Sequence, residues 1–188
     1  MPVVSPLSVP VLSPFRLRDG RQLGVGPLTP AARPVIEAAM ARLAPESSRR
    51  RFFTARFRLS DRELAQLTEC DGVQRYALGA SVATPQGTVE GVGVARFVRA
   101  EDAPEVAEVA VLVVDAFQGQ GVGRMLLRGL AQAALDRGIT RLRGTVLTDN
   151  DPMLGLLRKH APQARLLRSH DHYAIDVDLR TALGGGVH

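Results

Sequence analysis

Between Val113 and Leu130 the chain reads "VVDAFQGQGVGRMLLRGL": an apolar run breaks at glycines 119, 121 and 123 and resumes at once with helical spacing. That junction constrains the fold more than any other stretch. The pattern from Gly121 to Arg137 puts Val122, Leu126, Leu130 and Ala133 on one face and Arg124, Arg128, Gln132 and Asp136 on the other, and Gly138 ends it. One side of this helix therefore packs on a sheet. A strand that turns through alternating glycines into a helix gathers unpaired backbone N–H groups and the positive end of a helix dipole at one point. Glycine permits the positive dihedral angles of such a nest and lets a phosphate come close to the chain. Arg124 and Arg128, one turn apart, add charge. The plainer alternative is a turn that only allows tight strand-to-helix packing.

Spacing tests which anion the turn suits. A dinucleotide fingerprint needs G-x-G-x-x-G, but the last place is Arg124 counted from Gly119 and Leu126 counted from Gly121. Asp149 imitates that motif's ribose-binding acid, so the rejection rests on the glycines. A nucleotide P-loop needs G-x-x-x-x-G-K-[ST]; five places after Gly119 stands Arg124, with neither lysine nor hydroxyl following. What remains is Q-x-x-G-x-G: Gln118, Gly121 and Gly123.

The rest of the chain predicts one α+β domain over 15–180, between a proline-rich extended arm at 1–14 and a flexible end at 181–188. "RQLGVGPL" reads as a strand, and Thr29 caps a helix running to about Leu43 with Pro30 at its first position. "PESSRRRFF" starts another short helix, and "SDRELAQLTE" opens with a capping box of Ser60 and Glu63. "RYALGASVAT", a "PQG" turn, "VEGVGVARFVRA" and the longer "PEVAEVAVLVVDA" make a meander. "TRLRGTVLT" and "HYAIDVDL" are later strands, separated by a helix "DNDPMLGLLRKH" capped by Asn150 or Asp151.

With that order of elements, the glycine turn resembles the acetyl-CoA site of the GNAT acetyltransferases. "AEVAVLVVDAFQGQGVGRMLL" is similar to the family's central motif and "LTDNDPMLGLLRK" to its later N-x-x-M-L-x-L helix. Together with "PESSRRRFF", the first of these looks most like the bacterial protein lysine acetyltransferases. No cyclic-nucleotide domain of the kind some of those carry is read in this sequence. The resemblance implies a mixed, mostly antiparallel sheet flanked by helices and splayed between its fourth and fifth strands, with pantetheine lying in the splay. Main-chain groups near Leu112 and Val114 would then hold pantetheine. The pyrophosphate would sit on the amides of Gln118, Gly119, Gln120, Gly121, Val122, Gly123 and Arg124. An N–H near Val111 or Leu112 would stabilise the oxyanion, and Asn150 would cap the next helix and touch the coenzyme. A valine at 121 is expected to block the phosphate's approach.

The reaction implied is transfer of an acetyl group to a primary amine, which is mostly protonated at neutral pH and needs a base. Glu108, ten residues before Gln118, stands where the resembling enzymes carry a glutamate. Burial among Val106, Val109 and Val111 would raise its pKa; the competing reading is an exposed strand glutamate, and Glu105 is the reserve base. The family's tyrosine acid, seven residues after the asparagine, is here Leu157, which leaves Tyr173 or solvent to protonate the thiolate. The family's glycine-aromatic pair closing that helix is replaced by "RKHAPQA".

Composition weighs the rivals. A net charge of +5 with Lys159 as the only lysine reflects arginine usage, and with two tyrosines, six phenylalanines and no tryptophan the chain has few stacking residues for nucleic acid. The "RRRFF" stretch could contact coenzyme phosphate or an acidic partner, or be a solvated helix face carrying core phenylalanines. The single cysteine, Cys70, precludes an internal disulfide and reads as packing. His170 and His172 would share one strand face, but no third metal ligand stands at a recognised spacing, so no metal is expected. No run of eighteen apolar residues and no secretory signal is present, which predicts a cytoplasmic protein without a membrane partner. A homodimer is compatible with the family's habits. The readings carried forward are an acetyl-CoA-dependent N-acetyltransferase acting on a protein lysine or small amine, and a non-catalytic coenzyme A-binding module of the same fold.

Overall fold

The structure, a computed structural model, describes residues 15–46 and 59–183. The expected N-terminal arm, the "RRRFF" stretch and the last five residues lie outside them. In chain order the elements are β1 (Phe15–Arg16), β2 (Gln22–Pro27), a 3₁₀ turn (Pro30–Ala32), α1 (Arg33–Met40) and α2 (Asp61–Thr68). The meander follows as β3 (Arg75–Ala83), β4 (Val89–Arg99) and β5 (Val106–Val113). Then come α3 (Val122–Leu135), β6 (Arg141–Leu147), α4 (Asp151–His160), β7 (Arg165–Arg168), β8 (His172–Asp178) and α5 (Leu179–Leu183). The strands form one sheet in the order β1-β2-β3-β4-β5-β6-β8-β7, antiparallel throughout except for β5 and β6. This is the mixed, mostly antiparallel sheet the sequence predicts.

Two cores sandwich the sheet. On one face α3 buries Val122, Leu126 and Leu130 against Val92, Ala95 and Phe97, while Arg124, Arg128, Gln132 and Asp136 stay exposed as their helical spacing requires. On the other face α1 and α2 bury Ile36, Leu64 and Leu67 against Ala77. Each such aliphatic side chain contributes about 1.5–3 kcal/mol. The capping box on α2 forms: Glu63 N–H donates to Ser60 Oγ at 3.3 Å, and Ser60 N–H to Glu63 Oε2 at 2.8 Å.

Several local expectations need correction. Thr29 stands before the 3₁₀ turn without a capping side-chain hydrogen bond, and α1 ends at Met40 rather than Leu43. β5, expected to be the long strand, has 8 residues against 11 in β4. β7, "RLLR", was not foreseen: an edge strand exposed along its whole length has no alternation to betray it.

β5 pairs with β4 over seven registers and β6 with β8 over seven, but β5 and β6 share only three, ending at Glu108↔Arg143. Each half of the sheet is tied to its own outer neighbour and twists with it. Beyond Glu108 the two halves part, giving the predicted splay, since β5 and β6 are the fourth and fifth strands when counting starts at β2, the first strand read from the sequence.

Candidate active site

The splay opens a cleft of about 1220 Å³ that passes through the sheet. On the α3 side it is lined by Arg124, Arg128, Asn150, Met153, Leu157 and His160; on the α1–α2 side by Arg96, Val98, Glu108, Arg143 and Asp176.

At the α3 end the glycine turn takes the conformation its composition permits. Gly119 has φ +67° and Gly121 φ +88°, both left-handed, and Gly121 is the N-cap residue of α3. The N–H groups of Val122, Gly123 and Arg124, the first three positions of α3, have no preceding helical turn to accept them. Gln118 braces the turn from within, its Nε2 donating to the Val113 carbonyl at 3.1 Å, and Gln120 Nε2 donates to the Ala116 carbonyl at 2.9 Å. Two supports come from a segment the sequence did not single out. Phe15 lies against Gly121, 2.8 Å from where a Cβ would stand, and Arg18 Nη2 donates to the Gly119 carbonyl at 3.1 Å. Only tertiary structure brings residues a hundred positions apart together. Nearby, burial pushes the His160 imidazole below its ordinary pKa, and the charges of Arg124 and Lys159 push it the same way. An electropositive neighbourhood of that kind favours an anion. Asn150 caps α4, accepting from Met153 N–H at 3.2 Å.

Of the main-chain groups named by resemblance, Leu112 and Val114 are turned to β4, whereas Val111 is turned to the gap. Val114 N–H is already bonded to the Val92 carbonyl at 2.9 Å, and the Leu112 carbonyl lies on the β4 side, 3.0 Å from the Cβ position of Gly93. Successive residues of a strand turn their main-chain groups to alternate neighbours. Leu112 and Val114 therefore face β4, while Val109, Val111 and Val113 face β6; the Val109 carbonyl is 3.2 Å from the Cβ position of Gly144 on that strand. With pairing ended at Glu108, the N–H groups of Val111 and Val113 are the ones presented to the gap.

Glu108 lies on the opposite side of the same gap. It is exposed, and its side chain makes no hydrogen bond or ion pair with the described residues. The expected enclosure by valines fails because Val109 and Val111, on strand alternation, point to the α3 face while Glu108 points to the other. Glu105 does not line the cleft; its carbonyl receives the N–H groups of Thr140 and Arg141. Tyr173 does not line it either. Paired with Val146 on β8, it packs against the core on the α3 face, so Leu157 is in the cleft and the tyrosine is not. Cys70 packs at the second core, its thiol donating to the Leu67 carbonyl at 3.5 Å, and burial pushes its pKa up. His170 lies in the turn before β8 rather than on the strand with His172, which is bonded to Asp171.

The other carboxylate lining the cleft is engaged. Asp176 accepts from Arg141 Nε at 3.1 Å and Nη2 at 2.8 Å, and from Arg143 Nε at 3.2 Å. Burial opposes its ionisation, but the hydrogen bonds from Arg141 and Arg143 outweigh burial and hold the carboxyl below its usual range. A lowered folded-state pKa contributes stability that is present above the unfolded value, about 3.9, and is lost as pH falls through the folded one. Asp176→Asn should therefore destabilise the protein by about 1–2 kcal/mol at neutral pH. In denaturant titrations the gap to the unsubstituted protein should close below pH about 4; a gap independent of pH would deny the ion pairs.

Residues 43–161 match the Acetyltransferase (GNAT) family. The GNAT domain of S. lividans PAT superposes with a TM-score of 0.77 at 30% identity, over 88% of this chain and 96% of that one. Acetyltransferase Pat of Mycolicibacterium smegmatis is 44% identical over 59 residues, which are 31% of this chain and only 18% of that longer protein. The yncA protein of Salmonella typhimurium, solved with its cofactor acetyl-CoA, shares the fold at 19% identity and a TM-score of 0.62, over 84% of this chain and 94% of that one.

Proposed function

We propose, because this chain belongs to the GNAT acetyltransferase family, that it is an acetyl-CoA-dependent N-acetyltransferase passing the acetyl group directly to a primary amine, of a protein lysine or a small molecule. One observation carries the catalytic part. Of the two carboxylates lining the cleft, Asp176 has both oxygens committed to arginines and Glu108 has neither. Acetyl-CoA fits the other side: the glycine turn and the first amides of α3 suit its pyrophosphate, and the gap beyond Glu108 suits its pantetheine arm. No metal is invoked, and a cytoplasmic location belongs to the same proposal.

In this reading Val111 N–H, held by the sheet, donates to the thioester oxygen and stabilises the charge that develops there. Glu108 takes the amine's proton, directly or through one water, as nitrogen attacks the carbonyl carbon. The N–C bond forms and the C–S bond breaks. Coenzyme A leaves as a thiolate, and since thiols ionise near pH 8.5 it needs little help from an acid; solvent in the open cleft supplies the proton. Cys70, packed at the second core away from the cleft, offers no thiol for a covalent enzyme intermediate.

Leu157 in the tyrosine's place, with Tyr173 outside the cleft, favours the second reading of a coenzyme A-binding module without turnover. Incubation with acetyl-CoA and a panel of amines, following thiol release beside calorimetric coenzyme binding, separates the two. We expect binding and turnover. Binding without turnover on any amine would support the module, and absence of binding would reject both.

A further inference from the structure

We infer that the acceptor is a primary amine with a carboxylate close beside it, as in a lysine next to an acidic residue, and that Arg96 and Arg143 bind that carboxylate. The inference rests on the reading of Glu108 as the base. The register aligns Val98, Glu108, Arg143 and Asp176 in one row across β4, β5, β6 and β8, all on the face away from α3. Arg96, two residues from Val98 on the same face, is a diagonal neighbour of Glu108, at roughly 7–8 Å for such pairs and within reach of long side chains. The acceptor's approach to Glu108 is therefore flanked by two guanidiniums.

Among the described residues neither guanidinium has a carboxylate to itself. Arg96 is half-buried and lines the cleft, and its side chain makes no hydrogen bond or ion pair with the described residues. Glu63 on α2 feels its charge, but Oε2 of that carboxylate is taken by the Ser60 N–H and hydroxyl. Arg143 gives only Nε to Asp176 and is half-exposed, and Asp176 is shared with Arg141. No aspartate or glutamate occurs at 1–14, 47–58 or 184–188, so no acidic side chain outside the described residues can supply the missing charge. Arg96 and Arg143 thus line the cleft beside Glu108, while Asp176 is already shared between Arg141 and Arg143. A polycation has one uncommitted carboxylate to gain and the charges of Arg96 and Arg143 to meet, whereas an amine beside a carboxylate matches Glu108 and the arginine forks together.

The test uses the full chain, acetyl-CoA and four acceptors: one lysine peptide with glutamate flanking the lysine, the same peptide with glutamine or arginine there, and free lysine. Thiol release gives kcat/KM, and calorimetry on the protein with coenzyme A gives peptide affinity. The glutamate peptide should exceed the glutamine peptide by about tenfold and the arginine peptide by more. Free lysine outperforming every peptide would keep the chemistry and identify the carboxylate as the amino acid's own. Arg96→Gln should bring the glutamate and glutamine peptides within about two-fold of each other, and Arg96→Glu should reverse the order toward the arginine peptide, a change that loss of folding cannot mimic. Acetylation of all three peptides at equal kcat/KM, or a preference untouched in Arg96→Glu, would overturn this inference and leave the acetyltransferase reading standing. Turnover on no amine, with no binding preference between peptides, would overturn both.

Discussion

Glu108→Gln should lower kcat for acetyl transfer by about 10²–10⁴-fold, the usual contribution of a positioned general base. Coenzyme affinity and melting temperature should stay close to those of the unsubstituted protein, because the side chain is exposed and has no partner among the described residues. That separation gives the test its force. If turnover survived at more than about a tenth of the original rate, the proton would have another acceptor, and a general base of ordinary strength could not be assigned to this carboxylate. Raising the pH distinguishes the cases further: a variant lacking only the base should recover rate as the acceptor amine deprotonates in solution, toward its own pKa of about 10.4 for lysine. A variant with a damaged cleft should not.

Gly121→Val should abolish measurable coenzyme binding and also lower the melting temperature. The structure changes the reason expected from the sequence. At φ +88° a non-glycine residue costs about 1–2 kcal/mol, and a β-branched one more; in addition a Cβ there would stand 2.8 Å from Phe15 Cζ. The substitution therefore acts on the turn before any ligand arrives. Gly123→Ala isolates the ligand's part. Its Cβ would meet Val113 Cγ2 at 3.6 Å and Leu156 Cδ2 at 3.7 Å, ordinary contacts, so stability should hold. Coenzyme affinity falling in Gly123→Ala without a change in melting temperature would show that the phosphates need the bare backbone there. Affinity retained in both variants would remove the site from the turn.

The contrast between these two glycines shows what could be read in advance. Spacing alone excluded the dinucleotide and P-loop motifs and left Gln118, Gly121 and Gly123, and the resemblance to the GNAT family then implied coenzyme A for them. The helical alternation after Gly121 predicted which α3 residues are buried, because period and polarity are local properties of the chain. The capping box at Ser60 and the cap at Asn150 were legible for the same reason. The choice of Val111 over Leu112, and of Val113 over Val114, was not, since a strand's main chain looks the same to either neighbour until a hydrogen bond such as Val114 to Val92 sets its phase. Nor was the exposure of Glu108, which depends on which face α3 covers.

By itself, then, the sequence determined most of the elements and the form of the turn: where the longer strands and helices run, and that alternating glycines open a helix after a strand. The tertiary structure decided everything that depends on pairing across distance. It set Phe15 and Arg18 on the glycine turn, turned Tyr173 away from the cleft, and consumed Asp176 between two arginines while leaving Glu108 and Arg96 facing the gap. The physical reason is that propensity and periodicity act over a few residues, whereas the partner of a charge or an amide is fixed only when sheet register brings strands together.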